Sequence, residues 1–402
     1  MYLLSSHPKP LRIALVGTRG VPARYGGFET AVEEVGRRLA ARGHEVVVYC
    51  RTTEDTNHAE TEYKGMTLVY LPALKKRSLE TLSHTGLSAG HLFFKRADVA
   101  VVFNSANSPW LPVLRAAGIP VATHVDGLEW KRAKWGTLGK RYYRVAESLA
   151  VRWSDALIAD AVGIQDYYRQ EFGVDSTYLA YGAPILEGGA SDRLADLDLT
   201  PGGYHLVVAR FEPENHIHMI VDGYVRSAAE LPLIVVGSAP YSDEYTKLVT
   251  SLGDERVCFI GGVWDQELLD QLYANARIYW HGHSVGGTNP SLLRAMGAGV
   301  ATNAFDVNFN REVLGANGEY FADAAAIPAL VHAAESAPSD TALRGKKSQS
   351  DALAYDWDRV AEGYEKLCLH LVGRRGARGR RSGAFPLEST VPSTSTLAGV
   401  RA

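Results

Sequence analysis

Short apolar runs recur along the chain, each followed by a polar or glycine-rich stretch. The first, residues 11–17 (LRIALVG), is continuous and closes on glycine, which predicts a central parallel strand buried on both faces. Residues 30–43 (TAVEEVGRRLAARG) carry apolar positions at helical spacing and end on Gly43. Residues 45–50 (EVVVYC) predict the next strand, completing a β–loop–α–β unit of Rossmann type. Further strands are predicted at 66–71, 98–104, 119–125 and 156–160, with a helix over 142–153. After Pro184 the composition shifts, and residues 187–203 (EGGASDRLADLDLTPGG) predict a linker. A second series follows, with strands at 204–209, 232–236, 256–260, 277–280 and 299–305 alternating with helices at 216–229, 242–252, 266–275 and 290–297. Two successive β/α series predict an α/β protein of two Rossmann-like domains, at 10–186 and 204–345. A helical segment at 346–371 comes next, and the basic, Ser/Thr/Pro-rich stretch 372–402 reads as a disordered tail.

Composition adds little to this picture and excludes some classes. At 402 residues, 46% hydrophobic and 22% charged, the chain reads as a soluble globular protein of more than one core. A formal charge of −3 gives no overall pull toward nucleic acid or membrane, so any such attraction must be local. Cys50, Cys258 and Cys368 have no metal-ligand spacing and read as reduced core residues of a cytoplasmic protein. The first ten residues are too short and interrupted for a signal peptide, and no apolar run is long enough to span a bilayer.

The chemistry gathers at the ends of predicted strands. Residues 281–299 (HGHSVGGTNPSLLRAMGAG) leave a buried strand through Gly286, Gly287, Thr288 and Asn289. Asn289 is suited to cap a helix that Pro290 opens. A glycine-rich loop running into a helix N-terminus offers backbone N–H groups to an anion, phosphate above all, although small residues in a strand–helix connection also serve packing alone. Arg210 leaves another strand end and has the fork geometry for a diphosphate. Gly26 and Gly27 precede the first helix and would let a bulky anion approach the backbone. The loop around them lacks the G-x-G-x-x-G spacing, and the second strand ends in Cys50-Arg51 and not in an acid, which argues against a dinucleotide site. His124 and Asp126 lie at a strand's carboxyl end, where a carboxylate would orient or deprotonate an acceptor hydroxyl. Trp130, Lys131, Arg132, Lys134 and Trp135 interleave cations with aromatics, a mix suited to an anionic membrane face or a polyprenyl pyrophosphate acceptor. The plain alternative is a solvated helix with its aromatics turned inward. The D-x-D strings at 196–198 and 356–358 fall in the linker and near the last helix, so no catalytic metal or other cofactor is expected.

The strings GTRGVPARYGGFET, VDGLEWKRAKW, RFEPEN and GGTNPSLL together resemble GT-B glycosyltransferases of the GT4 type. Within that type they resemble a bacterial branch whose N-terminal domain is associated with rhamnosyltransferases. The resemblance covers roughly residues 11–370. It implies two Rossmann-like domains facing a cleft, with the C-terminal helix crossing back to the first. It also implies retaining transfer of a sugar, rhamnose from dTDP-rhamnose, onto a lipid-linked glycan in bacterial surface polysaccharide synthesis, at the inner face of the plasma membrane. Arg210 matches the arginine on the donor diphosphate, and the Gly26-Gly27 loop matches one facing that diphosphate. Asn215 stands where the type at large has lysine and the branch has asparagine. The nucleobase meets the backbone near residues 259–263. Asp126 matches the branch, whereas His124 stands where the branch more often has asparagine. Arg294 departs from the pattern, because the resembling helix places there a glutamate that holds the ribose hydroxyls. A guanidinium cannot accept those hydrogen bonds. Three readings therefore stand side by side: a transferase with a rearranged ribose site, a degenerate GT-B protein that only binds a partner, and a sugar-nucleotide epimerase.

Overall fold

The computed structural model describes residues 9–23, 26–52, 60–74, 79–125, 127–132, 135–237 and 243–374. They fall into two α/β units, each built on its own sheet. The first unit takes described residues from Met1–Trp130, Thr137–Ala180 and Trp357–Thr390, and the second takes those from Lys131–Gly136 and Tyr181–Asp356.

The first sheet contains β1 (Arg12–Val16), β2 (Glu45–Arg51), β3 (Glu62–Tyr63), β4 (Met66–Leu71), β5 (Val99–Phe103), β6 (Val121–His124), β7 (Ala156–Ala159) and β8 (Thr177–Tyr178). Its order is β3-β4-β2-β1-β5-β6-β7-β8, and the β3–β4 pair alone is antiparallel. The strand β5 is buried along its whole length, which is why it reads VAVVF without alternation. The chain steps one way from β1 to β2 and the other way from β4 through β7. Right-handed crossovers therefore set helix Gly27–Ala41 on one face and helices Glu80–Phe94, Leu111–Ala116 and Thr137–Trp153 on the other.

The last helix, Trp357–Arg374, belongs to this first unit and packs on Gly27–Ala41. Arg38 reaches Asp358 at 3.0 Å, and Arg42 reaches Glu365 at 2.7 Å. The His44 Nδ1 accepts from the Leu11 N–H at 3.1 Å, so its Nε2 carries the proton and donates to Glu365 at 3.0 Å. Gly363 allows the close approach to Leu179, where an added Cβ would lie 2.4 Å from that side chain.

The second sheet contains β9 (His205–Val208), β10 (Leu233–Val236), β11 (Val257–Gly261), β12 (Ile278–His281), β13 (Thr302–Phe305) and β14 (Glu319–Phe321). Its order is β11-β10-β9-β12-β13-β14, all parallel. Counted from β9 this is the Rossmann order, whose direction reverses between β9 and β12. The core joins Val207, Ile217, Val221, Tyr224, Val235, Ile278 and Trp280 between sheet and helices. The polar stretch 187–203 is bound into this unit. The Arg193 N–H donates to Gln271 at 2.9 Å, the Asn275 side chain donates to the Ala190 carbonyl at 2.9 Å, and the Gly202 N–H donates to the Asn275 carbonyl at 2.7 Å.

Candidate functional site

The reversal between β9 and β12 leaves a crevice at the carboxyl ends of those two strands, the place where open α/β sheets take ligands. Two loops border it, 209–216 after β9 and 282–289 after β12. They are locked together by backbone contacts. The Ser284 N–H and hydroxyl both donate to the Glu214 carbonyl, at 2.9 and 3.0 Å. The His216 ring meets the Gly282 carbonyl at 2.8 Å through Nδ1. Gly282 is required at this crossing, since a Cβ there would come within 2.0 Å of the Asn215 carbonyl oxygen. A third loop joins through Asn310, which donates to the carbonyls of His283 at 2.9 Å and Phe305 at 2.8 Å.

Within this frame the Arg210 guanidinium is half-buried and has no hydrogen-bond or ion-pair partner among the described residues. Its backbone is fixed, because its carbonyl accepts from Asn215 Nδ2 and the Glu212 N–H, both at 2.8 Å. Asn215 is thus a brace for the arginine loop. Its side chain is buried and its amide is turned to that carbonyl.

Across the crevice, Gly286 has φ +144° and borders open space, and the N–H groups of Gly286 and Gly287 take no partner among the described residues. Thr288 is buried. Asn289 caps helix Pro290–Gly297, accepting from the Ser291 N–H at 3.0 Å and the Ser291 hydroxyl at 2.7 Å. Tyr279 steadies that cap by donating to the Ser291 hydroxyl at 3.0 Å. The rings of His281 and His283 stack at 4.4 Å. Burial lowers the His281 pKa to about 3. Burial also holds the His283 pKa well below the usual range, with His281, Arg210, Arg132 and His216 adding repulsion. Both rings are neutral near pH 7, so neither adds a positive charge beside the half-buried Arg210.

Arg294 lies on the same short helix but is engaged elsewhere. It forms an ion pair with Asp270 of helix Gln266–Ala274, and Asp270 also accepts from Gln266 at 3.0 Å. Asp270 was not anticipated, because it stands 24 positions away on another helix and no local motif marks the contact.

In the first unit the strand order reverses between β1 and β5. Gly26 caps helix Gly27–Ala41 there in an extended conformation. Two carboxylates tie down the loop after β1: Glu29 accepts from the Arg19 N–H at 3.1 Å, and Glu33 accepts from the Ala23 N–H at 2.7 Å. A Cβ on Gly26 would lie 2.7 Å from the Glu29 carboxylate.

His124 is enclosed. It is fully buried between Phe28 and Phe103, and its Nδ1 is hydrogen-bonded to the Tyr364 hydroxyl at 2.9 Å. Burial lowers its pKa to about 3. The imidazole joins β6 to the last helix and is neutral near pH 7. Asp126 and Lys134 lie outside the described residues. Among the other members of the basic–aromatic cluster, Trp130 is half-buried with Arg144 over its ring at 5.0 Å. Arg132 pairs with the buried Glu214 at 3.3 Å, Trp135 is partly buried and Lys131 is exposed. Lys131 is thus the most exposed of these four, and the other three are partly exposed.

Comparison with known families matches residues 26–181 to the glycosyl transferase 4-like domain and residues 201–350 to the glycosyl transferases group 1 domain. Similar solved structures include sucrose-phosphate synthase from Thermosynechococcus elongatus, at TM-score 0.78 and 18% identity, covering 90% of this chain and 99% of that one. They also include HepE of Anabaena in complex with UDP, at TM-score 0.70 and 17% identity, covering 89% of this chain and 98% of that one. The structure of trehalose-6-phosphate from Escherichia coli bound with UDP-2-fluoro glucose gives TM-score 0.65 and 10% identity, covering 89% of this chain and 99% of that one. A comparison with curated protein sequences finds no match. The fold is GT-B. The chain is a glycosyltransferase made of a 4-like domain followed by a group 1 domain.

Proposed function

We propose that this glycosyltransferase moves rhamnose from a nucleotide-diphosphate donor to a lipid-linked glycan acceptor, with retention, in bacterial surface polysaccharide synthesis. The observation that carries donor binding is Arg210: a half-exposed guanidinium without a carboxylate, on a backbone held by Asn215, opposite unpaired N–H groups of a glycine-rich loop. That pairing suits a departing diphosphate, whose developing charge needs preorganised donors and little covalent chemistry. In this reading the transfer proceeds without a metal and without a protein nucleophile. The choice of rhamnose and of a lipid-linked acceptor rests on the resemblance of GGTNPSLL, RFEPEN and VDGLEWKRAKW to the rhamnosyltransferase-associated branch. The UDP and UDP-glucose seen in HepE of Anabaena support a nucleotide-sugar donor without deciding which.

Calorimetric titration with dTDP-rhamnose, UDP-glucose and the free nucleotides tests the reading. The expected outcome is micromolar binding of dTDP-rhamnose, weakened about 10- to 100-fold by Arg210→Ala as charge-assisted hydrogen bonds are lost. Tighter binding of UDP-glucose would overturn the rhamnose assignment, and equal binding by Arg210→Ala would overturn the diphosphate site.

A further inference from the structure

Buried polar atoms in a folded chain nearly always have a hydrogen-bond partner. The crevice after β9 and β12 gathers three that have none among the described residues: Glu214 Oε2, His281 Nε2 and His283 Nδ1. The Glu214 side chain is 4% exposed, His281 is fully buried and His283 is half-buried. Apolar side chains of similar volume would fill the same space without leaving bare polar atoms, so packing alone does not account for the three.

What each atom can do follows from its neighbours. Asn289 Oδ1 takes the Ser291 hydroxyl proton at 2.7 Å, and the Ser291 oxygen takes the Tyr279 hydroxyl proton at 3.0 Å. The Tyr279 oxygen lies 3.2 Å from His281 Nδ1 and has only its lone pairs left, so that nitrogen is the donor. His281 is neutral, and its Nε2 therefore carries a lone pair and no proton. Glu214 is paired with Arg132 at 3.3 Å through Oε1, which leaves Oε2 as a second bare acceptor. His283 Nδ1 donates or accepts according to its tautomer.

The three belong to one place. The His283 ring stacks on His281 at 4.4 Å, and Ser284, the next residue, donates twice to the Glu214 carbonyl. Arg132 is counted with the second unit, and it both pairs with Glu214 and opposes a proton on His283. Arg210 opposes that proton too, so the group borders the arginine read above as the diphosphate ligand. Two fixed acceptors and one adaptable nitrogen call for a ligand that donates at two points and adapts at the third. Hydroxyl groups, which donate and accept, have that chemistry, whereas a carboxylate or phosphate oxygen only accepts.

We propose that Glu214, His281 and His283 form a hydroxyl-binding subsite beside Arg210, and that it holds the ring of the transferred sugar. This rests on the reading of Arg210 as the diphosphate arginine. Of the two hydroxyl-bearing parts of such a donor, the ribose and the transferred sugar, the sugar is the one a transferase must select. Glu214 is thereby given a part in choosing the sugar as well as in holding Arg132.

The test is calorimetry of the full chain with UDP, UDP-glucose, dTDP and dTDP-rhamnose, on the wild type, Glu214→Gln and His283→Phe. Glu214→Gln keeps the volume and an oxygen for Arg132, and His283→Phe keeps a ring against His281, so both should fold, which thermal unfolding checks. Each variant is expected to bind the sugar nucleotide that the wild type prefers at least about tenfold more weakly, with the matching free nucleotide within about threefold. Equal weakening of sugar nucleotide and free nucleotide would overturn the proposal and assign the three groups to the ribose or to the fold. Unchanged binding of both ligands by both variants would also overturn it and leave the atoms to water. A wild type that binds no nucleotide would overturn the diphosphate reading and the subsite with it, whereas nucleotide binding that depends on Arg210 and ignores both variants would overturn the subsite alone.

Discussion

Two arginines near one crevice have opposite circumstances, and the sequence does not distinguish them. Arg210 is held by its backbone and its side chain is left unpaired, whereas Arg294 is taken up by Asp270. Arg294→Glu alone would therefore set two carboxylates side by side in a partly buried place. We predict a loss of about 1–3 kcal/mol in a chemical denaturation series, mostly recovered by Arg294→Glu combined with Asp270→Arg. A double variant no more stable than Arg294→Glu would show that the pair contributes nothing. The sequence did expose the residues that border the crevice, because glycine, proline, asparagine and an arginine at strand ends have local reasons to be there. It was silent on what each side chain touches. His124 looked like a ligand group because it ends a strand, and its enclosure by Phe28, Phe103 and Tyr364 depends on a helix more than 200 residues away.

At the scale of elements, the legible strands were those with long apolar runs, such as β1, β2, β4 and β5. The short β3, β8 and β14 have only two or three residues each, too few to show a period. Helix Glu80–Phe94 was missed because its pattern is inverted and two glycines interrupt it. The first half of helix Pro338–Ala352, before the segment predicted from 346, was missed because the helix is mostly polar, and packing keeps it in place where pattern does not announce it. The packing depends on glycines at backbone crossings. A Cβ on Gly297 would lie 1.9 Å from the Pro184 carbonyl oxygen, and one on Gly345 would lie 2.1 Å from the Gly299 carbonyl oxygen. Gly297→Ala is expected to cost about 1–3 kcal/mol, since backbone cannot give way as a side-chain tip would. Gly90→Ala meets nothing within 4 Å and should instead stabilise by about 0.5–1 kcal/mol. Thermal unfolding of the two variants measures both, and a neutral Gly297→Ala would contradict the close approach.

Across the whole molecule, buried neutral histidines make both units sensitive to acid. Burial lowers His84 to about 4, and His124 and His281 to about 3, from the usual 6.5. Between those values the unfolded chain binds protons that the folded chain refuses. Stability is then complete above pH 6.5 and falls on acidification, each histidine contributing about 1.4 kcal/mol per pH unit well below its unfolded pKa. Urea midpoints measured across this range should fall steadily on the acid side, with a shallower slope in His84→Gln, and a flat profile would show that the rings are solvated. The return of helix Trp357–Arg374 to the first unit has a consequence of a different kind. A ribosome delivers β1 to β8 first, yet Tyr364, Leu367 and Leu371, which close over that core, leave the tunnel only after the entire second unit has been made. The half synthesised first is therefore the half completed last, and exchanging gene halves at residues 187–203 would separate it from its own final helix.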